Sequence, residues 1–222
     1  MLKRIFDFFF ALFALIIFSP IFLIIAILIK LDSPGPIFYF GQRVGKGGKK
    51  FKIIKFRTMI VGADKTGLLI TPQDDKRLTR IGSMLRRFKL DELPQLINVL
   101  KGEMSLVGPR PESPVYADLM TEEEKKIVFS VKPGMTDWAS LNYFRQEELL
   151  TQENAMEVFQ KVIRPTKVKL QIKYVKERNF FVDLIIIFKT AKKWLKVIFR
   201  EIFFTLKNRF SNLFSFLKNL VK

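Results

Sequence analysis

The sequence predicts an α+β protein, mostly helical, with a membrane-seated N-terminal helix, a small β-hairpin and amphipathic interfacial helices. Three observations carry this. Residues 5–29 are apolar apart from Asp7 and the central Ser19-Pro20. Two short stretches, 37–43 and 50–57, are rich in Ile, Phe and Tyr and flank a glycine-rich turn at Gly45–Gly48. Much of the remaining chain repeats apolar residues at helical spacing.

The N-terminal segment is long enough to cross a bilayer, since 25 helical residues reach about 37 Å. It is too long for a cleaved leader, and no small-residue cleavage site follows it. Lys3 and Arg4 precede it, and Lys30, Arg43, Lys46, Lys49 and Lys50 follow. Positive residues favour the cytoplasm, and here they flank both ends. Pro20 removes one helical hydrogen bond mid-segment, and the Ser19 hydroxyl can satisfy the freed carbonyl. A re-entrant helix that bends at Ser19-Pro20 explains both facts, and a spanning helix with a proline kink explains the second. On the residues alone both stand.

Composition narrows the chemistry. The 222 residues include no cysteine and no histidine. Disulfides, thiolate nucleophiles, Ser-His-Asp triads and His-bound metals are therefore excluded. Catalysis must use carboxylates, Lys, Arg, Tyr or hydroxyls, and any metal must be a hard cation on oxygen. The net charge of +18 would suit nucleic acid or an anionic membrane. With 49% apolar residues and 24 Phe it favours the membrane, with no nucleic acid partner.

Asp32-Ser33-Pro34-Gly35-Pro36 is a turn cluster that closes the first segment. In the hairpin, Lys52, Lys55 and Arg57 alternate with apolar neighbours and offer a basic side to phosphate, lipid headgroups or solvent. Residues 60–76 read as a loop. From about Thr79 to Phe88 an amphipathic helix sets Ile81, Met84, Leu85 and Phe88 against Arg80, Arg86 and Arg87.

Residues 89–112 are the most informative run. Asp91 and Glu92 stand where a helix should begin, Pro94 falls in its first turn, and Gly102 ends it. Taken alone, the pair reads as an N-cap and first-turn acid, kept ionised by the helix N-terminus. Arg110 then stands between Pro109 and Pro111, a rigid way to aim a guanidinium at a phosphate.

Further on, 122–130 reads as a helix, Lys132-Pro133-Gly134 as a turn, and 147–162 and 166–178 as helices. Trp138 and Tyr143 mark a segment suited to a membrane interface or a nucleotide base. The final stretch alternates Phe, Leu and Ile with basic residues. Residues 192–222 hold eight basic residues against Glu201 alone. That suits a helix lying on anionic lipid, a partner-binding helix or a basic tail. The expected division is 1–31 membrane anchor, 32–190 catalytic domain and 191–222 basic amphipathic tail.

The run at 89–112, with Lys55-Phe56-Arg57-Thr58-Met59, Thr79-Arg80-Ile81-Gly82 and Lys132-Pro133-Gly134-Met135-Thr136, resembles the signature of the bacterial monotopic phosphoglycosyl transferases, the bacterial sugar transferases. The resemblance covers about residues 1–190. It implies a re-entrant N-terminal membrane helix broken at Ser19-Pro20 and an enzyme in the bacterial inner membrane facing the cytoplasm. It further implies transfer of a sugar-1-phosphate from a UDP-sugar to polyprenol (undecaprenyl) phosphate, with UMP leaving. Asp91 would be the nucleophile, and Glu92 would hold Mg²⁺. Arg110 and Arg86, with Lys55 and Arg57, would bind phosphate. Anionic lipid is a further expected partner and a homodimer is left open.

Two places depart from the family pattern. Many relatives continue Gly-Trp-Ala-Gln-Val-Asn-Gly-Arg where this chain has Asp137-Trp138-Ala139-Ser140-Leu141-Asn142-Tyr143-Phe144. Some relatives carry a functional Asp where Gln171 stands here. A non-catalytic membrane-surface or RNA-binding module, and an inactive scaffold, remain the competing classes.

Overall fold

A computed structural model describes residues 1–63, 71–72, 75–145, 149–150 and 154–220, with side chains described to residue 201 and at 203. Helix α1 (Leu2–Asp32) opens the chain. Strands β1 (Phe38–Val44) and β2 (Lys50–Phe56) form the expected antiparallel hairpin, pairing Phe38 with Phe56 and Val44 with Lys50. Then come α2 (Arg80–Arg87), α3 (Gln95–Lys101), β3 (Ser105–Val107), α4 (Pro114–Asp118) and α5 (Glu122–Val128). The chain ends with β4 (Gly134–Thr136), α6 (Trp138–Asn142), α7 (Ala155–Val158), α8 (Arg164–Glu177) and α9 (Phe180–Leu220).

Helix α1 stays helical through Pro20 rather than breaking there. Proline lacks the N–H that would bond the Ile16 carbonyl, and the Ser19 hydroxyl donates to that carbonyl instead at 2.7 Å. The lost bond is replaced, so the helix continues. Both ends of α1 are held by the same folded body. Near its start Arg4 donates to the Val99 and Leu100 carbonyls at 2.6 and 2.8 Å, capping the end of α3. Buried Asp7 accepts from the Ser105 hydroxyl at 2.7 Å and the Leu106 N–H at 3.3 Å. At its far end Ile25 and Ile29 pack on Phe56 and Leu85, and Asp32 accepts from the Ile81 N–H at 3.0 Å. Between these anchors Phe9, Phe13 and Leu23 remain largely exposed. Among the described residues α1 is the one helix long and apolar enough to cross a membrane.

A lone two-stranded hairpin is marginal in water. Here Asn98 of α3 fastens it: its Oδ1 accepts from the Ile54 N–H at 3.0 Å and its Nδ2 donates to the Lys52 carbonyl at 2.8 Å. Ile53, Leu96, Val99, Met104 and Leu106 then join Ala11 and Ala14 of α1 in one core, which Tyr174 and Ile186 close from α8 and α9.

The sequence reading missed a second sheet. Strands β3 and β4 pair in parallel, Ser105 with Gly134 and Val107 with Thr136. Of the helix expected over 147–162, residues 155–158 are α-helical and a π-helical turn (Phe159–Ile163) leads into α8, while 147, 148 and 151–153 lie outside the described residues. Pro165 near the start of α8 has no N–H to continue the α ladder, which accounts for that wider turn. The boundary expected at 190/191 falls inside α9, which stays docked beyond it. Trp194 Nε1 donates to the Phe88 carbonyl at 2.6 Å, and Glu201 pairs with Arg87 at 3.4 Å and Arg145 at 3.5 Å.

Candidate active site

Between α2 and α3 the chain turns sharply. Lys89 adopts a left-handed backbone (φ 56°), a conformation costing a non-glycine residue about 1–2 kcal/mol. It leads into a 3₁₀ turn, Leu90–Glu92, and Pro94 then caps α3. Asp91 and Glu92 thus sit just before the helix expected to carry them. They open onto a cavity of about 1220 Å³, whose walls include Lys55, Arg86, Arg110, Lys167 and Gln171.

The two carboxylates differ. Glu92 receives both guanidinium arms of Arg110, one at 3.1 Å, and the Lys55 ammonium at 2.7 Å. Burial opposes its charge, yet Arg110 and Lys55 hold its carboxyl well below the usual range. Asp91 is 4% exposed, its Oδ2 lies 4.0 Å from Lys55 Nζ, and its Oδ1 has no hydrogen-bond partner. Burial pushes the Asp91 carboxyl up, against the pull of Lys55. This corrects the expectation that a helix N-terminus keeps Asp91 ionised: its charge is sustained by Lys55, Arg86 and Lys89, while Glu92 adds to the upward push. Burial also lowers the Lys55 ammonium, which the dyad partly restores. Asp91 thus lines the cavity with a desolvated carboxylate whose buried Oδ1 leaves hydrogen-bonding capacity unused.

Arg110 owes its position to a close backbone crossing. Gly108 N–H donates to Thr136 O at 3.0 Å and Gly134 N–H to Pro109 O at 2.9 Å. A Cβ at Gly134 would lie 2.0 Å from Gly108 N, so only glycine fits where β4 meets the Pro-Arg-Pro turn. Arg86 lines the same cavity, and its charge is felt at Asp91. Arg57 is placed differently. Its guanidinium donates to the carbonyls of Pro36, Pro34 and Ser33 at 2.7, 2.7 and 2.8 Å, bracing the turn after α1. Ser19 and Pro20 lie on α1, away from these groups.

Three residues near the dyad were not singled out in the sequence. Arg43 and Glu112 feel the Arg110–Glu92 pair electrostatically, and Lys167 rises from α8. Glu112 could have been found as the last residue of the signature run, whereas Lys167 reads as one more basic residue of a basic helix.

Among the described residues no cluster of three carboxylates could cage a metal. Magnesium needs less, being held by one or two carboxylates plus substrate phosphates and water. The hard oxygens of Glu92 and the unpartnered Asp91 Oδ1 fit that requirement.

Comparison with known proteins shows the family. The model of the bacterial sugar transferase family matches residues 1–197. A putative undecaprenyl-phosphate N-acetylgalactosaminyl 1-phosphate transferase of Bacillus subtilis is 50% identical over 122 residues, 55% of this chain and 68% of that protein. An uncharacterized sugar transferase of the same organism, EpsL, is 40% identical over 87% of each chain. The UDP-N-acetylgalactosamine-undecaprenyl-phosphate N-acetylgalactosaminephosphotransferase of Aeromonas hydrophila is 36% identical over 86% of this chain but only 43% of its own length. The chain therefore spans less than half of that relative. With its family model matched from the first residue into α9 and the dyad and Arg110 gathered at one cavity, the chain belongs to the bacterial sugar transferase family.

Proposed function

We propose that this protein transfers a sugar-1-phosphate from a UDP-sugar to polyprenol (undecaprenyl) phosphate in two displacements through Asp91. The observation that carries the reading is the desolvated Asp91 carboxylate, one oxygen buried without a partner, in the wall of a cavity whose cations, Lys55 and Arg110, are already in place. In the first step Asp91 attacks the β-phosphorus. Its new O–P bond forms as the bridging O–P bond breaks, and UMP leaves with the electron pair. In the second, a phosphate oxygen of the polyprenol phosphate attacks the same phosphorus. The bond to Asp91 breaks, giving the polyprenol-diphosphate sugar and the free carboxylate.

Arg110 and Lys55 stabilise the phosphoryl charge from fixed positions, which supplies most of the rate in such transfers. Glu92 holds both cations beside the reacting centre. Mg²⁺, held by Glu92 with substrate phosphate oxygens, would neutralise the diphosphate and the leaving UMP.

The re-entrant placement is part of the proposal. Both ends of α1 are tied to one body, as its contacts to Val99, Ser105, Phe56 and Ile81 support, while its middle is apolar and exposed. Re-entry would require α1 to bend within its 31 helical residues, and Pro20, whose missing N–H leaves the ladder weakest, is where it would do so. On α9, Phe181, Phe188, Phe199 and Phe203 are exposed beside many basic residues, which suits an anionic bilayer surface. Positive flanks at both ends of α1 favour the cytoplasmic face of a bacterial inner membrane.

The test is incubation with a UDP-sugar, Mg²⁺ and a short polyprenol phosphate, following UMP. With labelled donor alone, mass spectrometry of the peptide containing Asp91 should show a phosphosugar adduct. Full turnover by an Asp91→Asn variant would overturn the assignment.

A further inference from the structure

Resting on the transferase reading, we infer that the branch of the cavity floored by Lys167 and Gln171 is the hexose subsite, and that these two residues select the sugar. Three polar atoms there have no partner among the described residues: Gln171 Oε1, Ser113 Oγ and Tyr116 OH. Gln171 is fully buried, yet only its nitrogen is used, donating to Glu112 Oε1 at 3.2 Å and the Arg110 carbonyl at 3.4 Å. Lys167 makes no hydrogen bond or ion pair with a described residue, and its ammonium lies over the Phe159 ring, 5.6 Å from its centroid. Burial lowers its ammonium to about 8, with Glu112 and Asp137 opposing.

Such orphans are rare in a folded protein, because a buried polar group left without a partner loses its hydration for no return. Gathered on the wall of one cavity, they are donors and acceptors in want of a ligand. Tyr116 and Phe159 pack ring against ring, centroids 4.9 Å apart, and Tyr143 joins them, giving that wall an apolar face as well. Hydroxyl, amide and ammonium groups beside aromatic rings suit a neutral pyranose with hydroxyl or acetamido substituents. Position supports the sugar over the uracil. Gln171 bonds the backbone of Arg110, whose side chain holds Glu92 beside Asp91, and the group attached to the attacked phosphorus is the sugar. Both family departures, Asp137–Phe144 and Gln171, converge on this wall. Asp137 caps α6, accepting from the Ser140 N–H at 2.7 Å, and its charge reaches Lys167.

The experiment compares the full-length protein with Gln171→Leu and Lys167→Met. Binding of UMP and of free glucose, N-acetylglucosamine and N-acetylgalactosamine 1-phosphates is measured by calorimetry, and kcat/KM is measured for the three UDP-sugars. Each variant should lose about tenfold or more in binding the preferred hexose 1-phosphate, keep UMP affinity within about twofold, and change the ratio of kcat/KM among donors. An equal loss for UMP would place the uracil here instead. An equal fall for every donor would mean that Gln171 merely positions Arg110. Unchanged hexose 1-phosphate binding would also overturn the subsite. If hexose 1-phosphates bind as expected and no UDP-sugar releases UMP, the transferase reading fails and the subsite stands.

Discussion

Lys55 is the residue on which the charge of Asp91 most depends, and replacing it with methionine isolates that dependence. Its ammonium lies 4.0 Å from Asp91 Oδ2 and 2.7 Å from Glu92 Oε1. At 4.0 Å and an effective dielectric constant of about 20, the attraction to Asp91 is of order 4 kcal/mol. Methionine keeps the length and apolar stem and removes the charge. Asp91, already raised by burial, then rises further, so less of it is ionised at neutral pH. Even a third of that attraction, about 1.4 kcal/mol, is one decade in the ionisation equilibrium, so turnover falls up to about tenfold on the acid limb, where Asp91 is mostly protonated. The sign is fixed: the nucleophile is the deprotonated form, so the acid limb of the rate profile moves to higher pH, and raising the pH recovers that part of the loss, leaving only the part due to the phosphoryl charge Lys55 no longer stabilises. The assay is UMP release across a pH series for both proteins. A loss that is the same at every pH, or a profile superimposable on the parent's, would refute the reasoning, because general damage to the fold has no reason to be cured by alkali.

Other outcomes follow from the same geometry. Asp91→Asn should abolish the adduct and turnover yet melt at a higher temperature. The Asp91 carboxyl is raised by burial, so its ionisation opposes folding above the ordinary carboxylate range, and the amide removes that charge; a lower melting temperature would contradict this. Gly134→Ala puts a Cβ 2.0 Å from Gly108 N, where ordinary contact begins at 3.4 Å, so the strands must part by about 1.4 Å. Displacing Arg110 on that scale should cut kcat about 100-fold in protein that still shows native circular dichroism. Asp7→Ala strands the Leu106 N–H and the Ser105 hydroxyl in the core, and should cost about 2 kcal/mol or more in denaturant titration in micelles. An unchanged midpoint would show that the anchor of α1 lies elsewhere.

What could be read from the sequence was what local chemistry dictates. Alternation about Gly45–Gly48 specifies a hairpin because side chains in a strand change face at every residue, and the register found buries Ile54 and Phe56 on one face and Ile53 on the other. Thr79 and Gly102 mark helix ends by capping, and both do so here. The pairing of Ser105–Val107 with Gly134–Thr136 had no such mark. Three-residue strands carry no periodicity, and partners 29 positions apart meet only because Gly108 and Gly134 let two backbones cross. Lys167 was hidden for a similar reason, since its distinction is where α8 points it. The state of Asp91 was misread because capping arguments see the four orphan N–H groups of a helix and not the desolvation around it. On the proposed mechanism, the burial that desolvates Asp91 would also keep water from an acyl phosphate formed there. A solvated aspartate at a helix cap would be more stable and a worse enzyme, and the strained Lys89 turn is the local device that pushes Asp91 inward instead.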